Sequence, residues 1–559
     1  MPLQDDTVRC APTRAPGRPS LAASVLAGAF AALLAPTATA FEREFGDGVK
    51  VRFDNSFKYS AAWRLKDRAD VLVADPTLDD GDRSFGRGLI SNRLDWLGEL
   101  DVAYRQSGLR VSAAAWYDDV YHRRNDHDSP LTANAVSVPP DRFTRATRDL
   151  HGRKAELLDA FVHAGFESGG LQGTVKLGRH SLQWGESLFF GANGIAGGQL
   201  PIDVIKALSV PNTPFKEIGR PVNQLSAQVQ LTAALSLGAY YQLRWERTRI
   251  PAAGSYFSPA DLVDAGGERI VAAVVPGVGP VASFYRTADI EARDSGQGGM
   301  QLRYRAQSIG TDFGFYAIRY HERNFQTYVR PGAGVGPGAP PDMIGQYLLV
   351  FPQNVKAFGF SASTTVADAN VAAEVSVRTN APLVSLTMPD MTGTADNNRN
   401  PLYAVGRTAH AQVSMIHLLP QSSLWQGATL LGEIAWNRRL SITKNAAALD
   451  PNTTRDATAI RVVFEPQYFQ VLDGVDISVP IGLGYTIDGR SGAVGAFGPE
   501  HGGDFSVGVK GDFMKVWRFS FGLTHYFGSA GPIAAGGIQT FKQIYRDRDF
   551  LSFAATRTF

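Results

Sequence analysis

The sequence predicts an all-β fold, a single large antiparallel transmembrane β-barrel of about 18 strands, with 16 as the alternative count. Three observations point to it. A leader for export opens the chain, stretches of about ten residues alternate apolar and polar, and the links between those stretches alternate short and long.

The leader comes first. Arg9, Arg14 and Arg18 precede an apolar stretch from Leu21 to Leu34, then Pro36 and Ala38-Thr39-Ala40. A basic region, an apolar core and a small-x-small site read as a secretory signal peptide over 1–40, cleaved before Phe41. A membrane anchor fits less well, because the core is short, Ala-rich and ended by Pro36. The only cysteine, Cys10, precedes the apolar core, so residues 41–559 have no disulfide and no thiolate metal site. No later run reaches the roughly 18 apolar residues of a membrane helix. Fifty-five Lys+Arg against 53 Asp+Glu give no long-range field for nucleic acid.

Alternation comes second. Leu94, Trp96, Leu100, Val102 and Tyr104 share one parity, and Arg93, Asp95, Glu99, Asp101 and Arg105 the other. From Leu225 to Leu231, Leu-Ala-Val-Leu alternates with Ser-Gln-Gln. Tyr241, Leu243 and Trp245 alternate with Gln242, Arg244 and Glu246. Met300, Leu302 and Tyr304 alternate with Gln301, Arg303 and Arg305. Val375 and Val377 alternate with Glu374, Ser376 and Arg378, and Trp517 to Leu523 with Arg518 to Thr524. Period two puts each set on one face of a strand. A soluble sandwich would show it too, so spacing has to decide.

Strands are placed near 50–64, 91–105, 109–121, 155–167, 171–180, 223–232, 235–249, 298–306, 311–321, 355–367, 370–379, 405–418, 427–439, 458–470, 475–488, 503–513, 516–527 and 550–559. Short links such as Ser168-Gly169-Gly170, Ala233-Ala234 and Asp368-Ala369 alternate with long ones such as 122–154, 181–222, 250–297, 322–354, 380–404 and 528–549. An up-and-down barrel has short periplasmic turns and long outer loops, and a Greek-key sandwich has no reason for the pattern. The chain ends on Phe559 after Leu551, Phe553 and Ala555 of one parity, an end typical of such barrels, with Arg557 as the departure. Trp63, Trp116, Tyr117, Tyr121, Trp245, Tyr320, Trp436, Tyr526 and Phe527 lie near strand ends, where aromatic girdles sit.

The runs Asp82-Arg83-Ser84-Phe85-x-Arg87-Gly88-Leu89-Ile90-Ser91-Asn92-Arg93-Leu94-Asp95 and Lys176-Leu177-Gly178-Arg179-His180-x-Leu182-Gln183-Trp184-Gly185-Glu186-Ser187 carry a resemblance. So do Pro201-Ile202-Asp203 and Pro211-Asn212-Thr213-Pro214-Phe215-Lys216-Glu217. These resemble a large proteobacterial family of unknown function described as porin-like outer-membrane proteins. The resemblance implies location and fold, and suggests a link to passage of hydrophobic compounds.

The polar strand faces name a pore lining: Arg93, Asp95, Glu99, Asp101, Lys176, Arg244, Glu246, Arg303, Arg305, Glu374, Arg378, Lys510 and Arg518. A charge facing lipid at mid-bilayer costs roughly 2–4 kcal/mol, so so many charges belong in the lumen. The signs are mixed, which argues against a one-sign filter. The competing reading is that they pair across strands and occlude the lumen. The link 181–222 is the most distinctive. It carries Trp184-Gly185-Glu186, a Gly-rich patch from Gly191 to Gly198, and a short helix expected over 201–208 with Pro201 in its first turn. It is the candidate constriction or plug, with Arg179, Glu186, Asp203, Lys206, Lys216 and Arg220 in or near the narrowest part, against an outer surface loop as the alternative. Two long links are oddly apolar, Ile270 to Tyr285 and Met343 to Phe351. They read either as a receiving site for hydrophobic solutes or as loops that pack together as a cap.

Enzyme motifs are missing. His180 and Ser181 point to opposite faces of a strand. Gly185-Glu-Ser-Leu-Phe is not a nucleophile elbow, and there is no His-Glu-x-x-His and no phosphate loop. His122, His127 and His151 share one region as weak metal candidates, though loop histidines are usually solvated. The sequence therefore predicts no enzyme and no cofactor. It predicts a porin-like outer-membrane channel for small, amphipathic or hydrophobic solutes. Its partners are outer-membrane lipid and solute, not nucleic acid, and a homo-oligomer is compatible with it. The alternatives are a barrel enzyme such as a lipid hydrolase, and a structural or adhesive barrel.

Overall fold

The computed structural model describes residues 41–46, 48–210 and 212–559. The expected leader and its cleavage site, 1–40, lie outside the described residues.

The wall is one antiparallel sheet that closes into an 18-strand barrel. Its strands are β1 (Val49–Arg64), β2 (Gly88–Tyr104), β3 (Ser107–Asp118), β4 (Arg153–Ser168), β5 (Leu171–His180) and β6 (Val222–Thr232). They continue as β7 (Leu235–Gln242), β8 (Gln297–Ala306), β9 (Thr311–Tyr320), β10 (Val355–Val366), β11 (Ala369–Pro382) and β12 (Val405–Leu419). The last six are β13 (Gly427–Lys444), β14 (Asp456–Leu472), β15 (Val475–Ser478 and Ile481–Asp488, interrupted at Pro480), β16 (Gly503–Phe513), β17 (Trp517–Phe527) and β18 (Phe550–Thr558). Each strand pairs with its neighbours in sequence. The seam joins β1 to β18, from Ser56 opposite Thr558 to Arg64 opposite Phe550. A further strand, Phe41–Phe45, pairs with Val49–Phe53 where β1 extends past β18.

Closure is what lets strands cross hydrocarbon, because it leaves no backbone edge unpaired. The alternation then sorts side chains. On β11, Val375 and Val377 are 49% and 40% exposed, whereas Glu374, Ser376 and Arg378 between them are buried. An apolar set exposed outward and a polar set buried inward is the reverse of a soluble protein and the signature of a lipid-facing wall. Among the described residues no helix is long and apolar enough to cross a membrane.

All eighteen expected strands are present. The largest overrun is 235–249, because β7 ends at Gln242 and the chain then turns inward; 109–121 overruns by three residues, since β3 ends at Asp118 and a 3-10 turn follows over Asp119–His122. There Trp245 donates from its backbone N–H to Asp294 (2.9 Å) and packs on Phe351, ring centres 4.9 Å apart. The girdle reading needs a larger correction. Trp63, Tyr117, Trp436 and Phe527 share the lipid-facing parity, but Trp116, Tyr320 and Tyr526 share the lumen parity, and Tyr121 and Trp245 are buried in loops. Position near a strand end does not decide which face a ring takes. Arg557, the departure in the terminal strand, lies with its guanidinium 4.5 Å from the Phe559 ring centre and 5.2 Å from that of Trp517. Stacking between two rings suits a cation on the lipid-facing parity at a strand end.

Above the long-loop end sits a five-stranded sheet built from Arg269–Val275, Gly279–Arg286, Gln326–Pro331, Met343–Val350 and Met388–Pro389. Both oddly apolar links form strands of it. Tyr347, Leu348, Leu349, Val350 and Phe351 are almost fully buried there, so these segments pack as a cap.

The parity can be tested by charge. Val375→Arg, on the outer face, should destabilise the barrel by about 2–4 kcal/mol in reversible unfolding from lipid vesicles. Gln228→Arg, on the inner face, should cost well under half of that, and equal losses would refute the assignment.

Candidate functional site: the loop that crosses the lumen

Residues 181–221 leave β5 and return at β6, and between these points they run through the barrel. The loop has its own small core, in which Ala196, Leu200, Phe215 and Ile218 pack together. Gly191 has no side chain because the Phe215 ring occupies the place of a Cβ. The expected helix starts later than predicted, at Val204–Ser209, with Asp203 Oδ1 accepting from the Lys206 N–H (3.0 Å). Pro201 falls outside it because Ile202 and Asp203 form β-bridges with Gly219 and Arg249.

Near its origin the loop is held by rings. Trp184 packs with Tyr240, Tyr316, Ile318 and Tyr320 of the inner wall. Farther across, wall side chains grip its backbone. Glu374 accepts from the N–H groups of Glu186 (2.8 Å) and Ile195 (2.6 Å). Glu433 accepts from Phe190 (2.8 Å), Leu188 (3.3 Å) and Phe189. Arg378 donates from Nη2 to the carbonyls of Ala192 (2.9 Å), Asn193 (2.8 Å) and Gly194 (2.9 Å). Asn193 also meets His410 (3.1 Å). Beyond that, Phe190 packs on Phe497 (5.7 Å), and Asn212 donates to Ser506 (2.7 Å) while accepting from Arg461 (3.0 Å). The loop therefore touches β11–β16 on the far side from its stalk.

The charges fall into three groups. Arg249, Glu156, Arg220, Glu246 and Arg179 form a chain of ion pairs at the stalk, with Arg249 also 2.8 Å from Asp203. On the β1–β4 wall, Arg93 pairs with Asp95 (2.6 Å), Lys58 with Asp95 (3.5 Å), and Arg110 with Glu99 and Asp101. Trp116 lies between Arg93 (4.6 Å) and Arg249 (5.6 Å). The third group holds Glu186 and Arg303 at 3.5 Å. Between the loop and the short-turn end lies a cavity of about 730 Å³, lined among others by His163, Lys176, His180, Leu182, Trp184, Ser226, Gln228 and Gln301.

A second segment enters the mouth. Tyr256 and Phe257, from the link between β7 and β8, sit in an aromatic cluster with Phe85, Ile90, Tyr121, Phe143, Tyr526 and Phe550, and Leu208 of the crossing loop packs against it. Arg548 donates to Ser258 O (2.9 Å) and Tyr545 to Phe257 O (3.0 Å). Gly81 permits the approach, since Ser258 O would stand 2.6 Å from any Cβ there. Below, Arg64 pairs with Asp82 (2.7 Å) and Asp547 (3.0 Å) in a fully buried group.

Most predicted site residues thus have a definite place. Arg93, Asp95, Glu99 and Asp101 line the wall opposite the loop's anchors, Lys176 lies over the Phe161 ring (5.4 Å), and Lys206 donates to Glu217 O (2.8 Å). Glu374 and Arg378 have the expected parity but bind loop backbone. Arg305 is exposed on the inner parity of β8. Arg244 is exposed beyond the end of β7, so strand alternation no longer orients it. Glu433, Arg110, Glu156, Arg249 and Arg461 were missed, although Glu433 shares a phase with Ala435 and Asn437 that alternation could have read. His180 donates to or accepts from Ser226 (2.8 Å) rather than engaging Ser181. His122 stacks on Tyr117, His127 meets Asp80 (2.8 Å) and His151 accepts from Ala252 N–H (3.1 Å), so the three do not converge.

A closed antiparallel wall with this inside-out distribution of polarity is an outer-membrane β-barrel. Residues 21–559 match the family described as "Protein of unknown function (DUF1302)", and the chain belongs to that family. No functionally curated protein matches the sequence. Similar solved structures include OccAB2 of Acinetobacter baumannii, at 9% identity over 93% of this chain and 99% of that chain, with a TM-score of 0.41. OpdK of Pseudomonas aeruginosa with vanillate stands at 10% identity over 91% and 98%, TM-score 0.38. OmpF of Salmonella typhi in complex with daunomycin stands at 9% over 93% and 100%, TM-score 0.36. At these values nothing about solutes carries over.

Two outcomes follow from the geometry. Arg378→Ala strands three buried carbonyls, so amide hydrogen exchange across 186–195 should rise about tenfold or more, and unchanged exchange would refute the anchoring. The second concerns the mouth. Burial pushes the Asp79 carboxyl up to about 7, opposed by Arg83, and pushes Asp261 well above the ordinary carboxylate range, helped by Asp80 and Asp79. Asp80 itself meets His127 (2.8 Å) and the Asn134 N–H (2.9 Å). The folded mouth therefore holds protons that the unfolded chain releases near pH 4, and this stabilisation is lost as pH rises through about 7. Proteolysis within 250–262 should be faster at alkaline than at mildly acidic pH, with Asp261→Asn flattening the dependence, and the opposite order would overturn the assignment.

Proposed function

We propose that the protein is a porin-like channel whose passage is narrowed by the loop 181–221 and restricted at the outer mouth by Tyr256 and Phe257. The observation that carries the reading is the crossing loop, anchored on the far wall by Glu374, Arg378 and Glu433. A barrel of this width without such a loop would be an open tube. With it, a solute passes between the loop and the ion-paired β1–β4 wall.

The solutes are small and amphipathic or hydrophobic. Supporting this, the cavity sets Leu182 and Trp184 beside Lys176, His180, Gln228 and Gln301, so apolar and polar surfaces are within reach of one molecule. Paired charges of both signs favour neither cations nor anions strongly. Filtering is steric and electrostatic, with no bond made or broken.

Planar-bilayer recording tests this. Refolded wild-type protein should give small stepwise conductance, and deletion of 186–218 should raise it several-fold. Unchanged conductance would reject the loop as the constriction. No conductance from either form, together with ester or peptide hydrolysis, would replace the channel with an enzyme.

A further inference from the structure

The outer wall carries a basic groove where an aromatic girdle would be expected. Arg319 of β9 stands directly opposite Lys356 of β10, Lys356 opposite Thr379 of β11, and Thr379 opposite Arg407 of β12. All four face away from the lumen, since the buried Ile318, Ala357, Arg378 and Thr408 beside them take the inner face. They line a groove of about 480 Å³ with Asn354, Asn380 and Thr443, and no carboxylate contributes to it. Arg293 reaches the same place, for its Nη2 (2.8 Å) and that of Arg319 (2.5 Å) both donate to Asn354 Oδ1.

Like charges directly opposite each other on neighbouring strands repel. Arg319 and Lys356 are directly opposite, Arg407 lies one strand beyond Thr379, and Arg293 shares an acceptor with Arg319, so anionic groups from outside the chain would relieve a local excess of positive charge. The height of the row says where those come from. It lies at the long-loop end of the strands. One step deeper on the same outward face stand Phe358 (56% exposed) and Val377, which belong against acyl chains. At four other places around the rim an aromatic ring takes an outward position near the strand end: Trp63, Tyr117, Tyr241 and Phe527. Rings suit generic headgroup contact, whereas Arg and Lys at this depth suit phosphate.

We propose that this groove binds the phosphates of an outer-leaflet glycolipid, the phosphorylated glucosamine headgroup of lipid A. The two arginines take phosphate oxygens through paired N–H groups, Lys356 acts as a point charge between them, and the acyl chains run down over Phe358 and Val377. The site is separate from the channel reading and stands without it.

Native mass spectrometry of the full barrel in micelles, titrated with bisphosphorylated lipid A and with its dephosphorylated form, tests the proposal. Wild-type protein should prefer the phosphorylated lipid. The triple variant Arg319→Gln, Lys356→Gln, Arg407→Gln should bind it at least about tenfold more weakly. Removing the same number of charges at the short-turn end, with Arg43→Gln, Lys50→Gln and Arg105→Gln, should leave binding intact. Equal binding of the two lipids, or undiminished binding by the triple variant, would overturn the proposal. Displacement of the lipid by millimolar inorganic phosphate would also overturn it, in favour of a free-phosphate site. If the triple variant fails to fold, the comparison of the two lipids on wild-type protein decides alone.

Discussion

A strand in hydrocarbon needs a hydrogen-bonded neighbour on each side, and this one requirement shapes the rest of the molecule. It forces the sheet to close, with β1 paired to β18. Closure separates two solvents, so the period-two alternation becomes a division between lipid and lumen. It also fixes where polar groups can accumulate. Charges that would be costly outside are gathered inside, where they pair with each other or with a returning loop.

The inner wall is correspondingly uneven. Where the loop crosses, the lumen side chains are small: Ala357, Gly359, Ala435, Ala459 and Gly482. Ile195 sits where a Cβ on Gly359 would be, at 2.7 Å, and Asn212 fills the same place at Gly482. Between these small residues stand the few long polar ones that bind the loop's backbone. An ionised carboxylate or guanidinium is tolerable in such a place because amides and carbonyls converge on it. The opposite wall, free of the loop, keeps long charged side chains that pair across strands. Occupied and unoccupied halves of the lumen are thus distinguished by side-chain size as well as by charge.

The wall was legible in the sequence because each strand repeats the same two-residue pattern and each turn is short. β7 was overextended because Arg244 and Glu246 keep the rhythm of Gln242 after the backbone has turned inward. The aromatic girdle was misread for a related reason: Trp116, Tyr320 and Tyr526 sit near strand ends but in the inner phase. The crossing loop was recognisable by its length and glycines, yet its anchors were not. Glu374 and Arg378 look like pore lining until Ile195 and Asn193 are known to face them, and contacts between residues so far apart leave no local mark. The insertion of Tyr256 and Phe257 depends on Gly81 in a different link, and no single segment records it.

The seam has a kinetic consequence. Ser56 meets Thr558 across 502 residues of chain, and their hydroxyls are 3.0 Å apart. Every other wall contact joins strands that are neighbours in sequence, so nearly all of the sheet can zip locally. The last step cannot. It brings together the two ends of a finished ribbon, and such long-range closure is the slowest kind of contact to form. Until then β1 and β18 are open edges, able to pair with another chain. Seam closure is therefore the one strand pairing of the wall that has to wait for both ends of the chain, and a machine that inserts the barrel has to keep two edges from their competitors until they find each other.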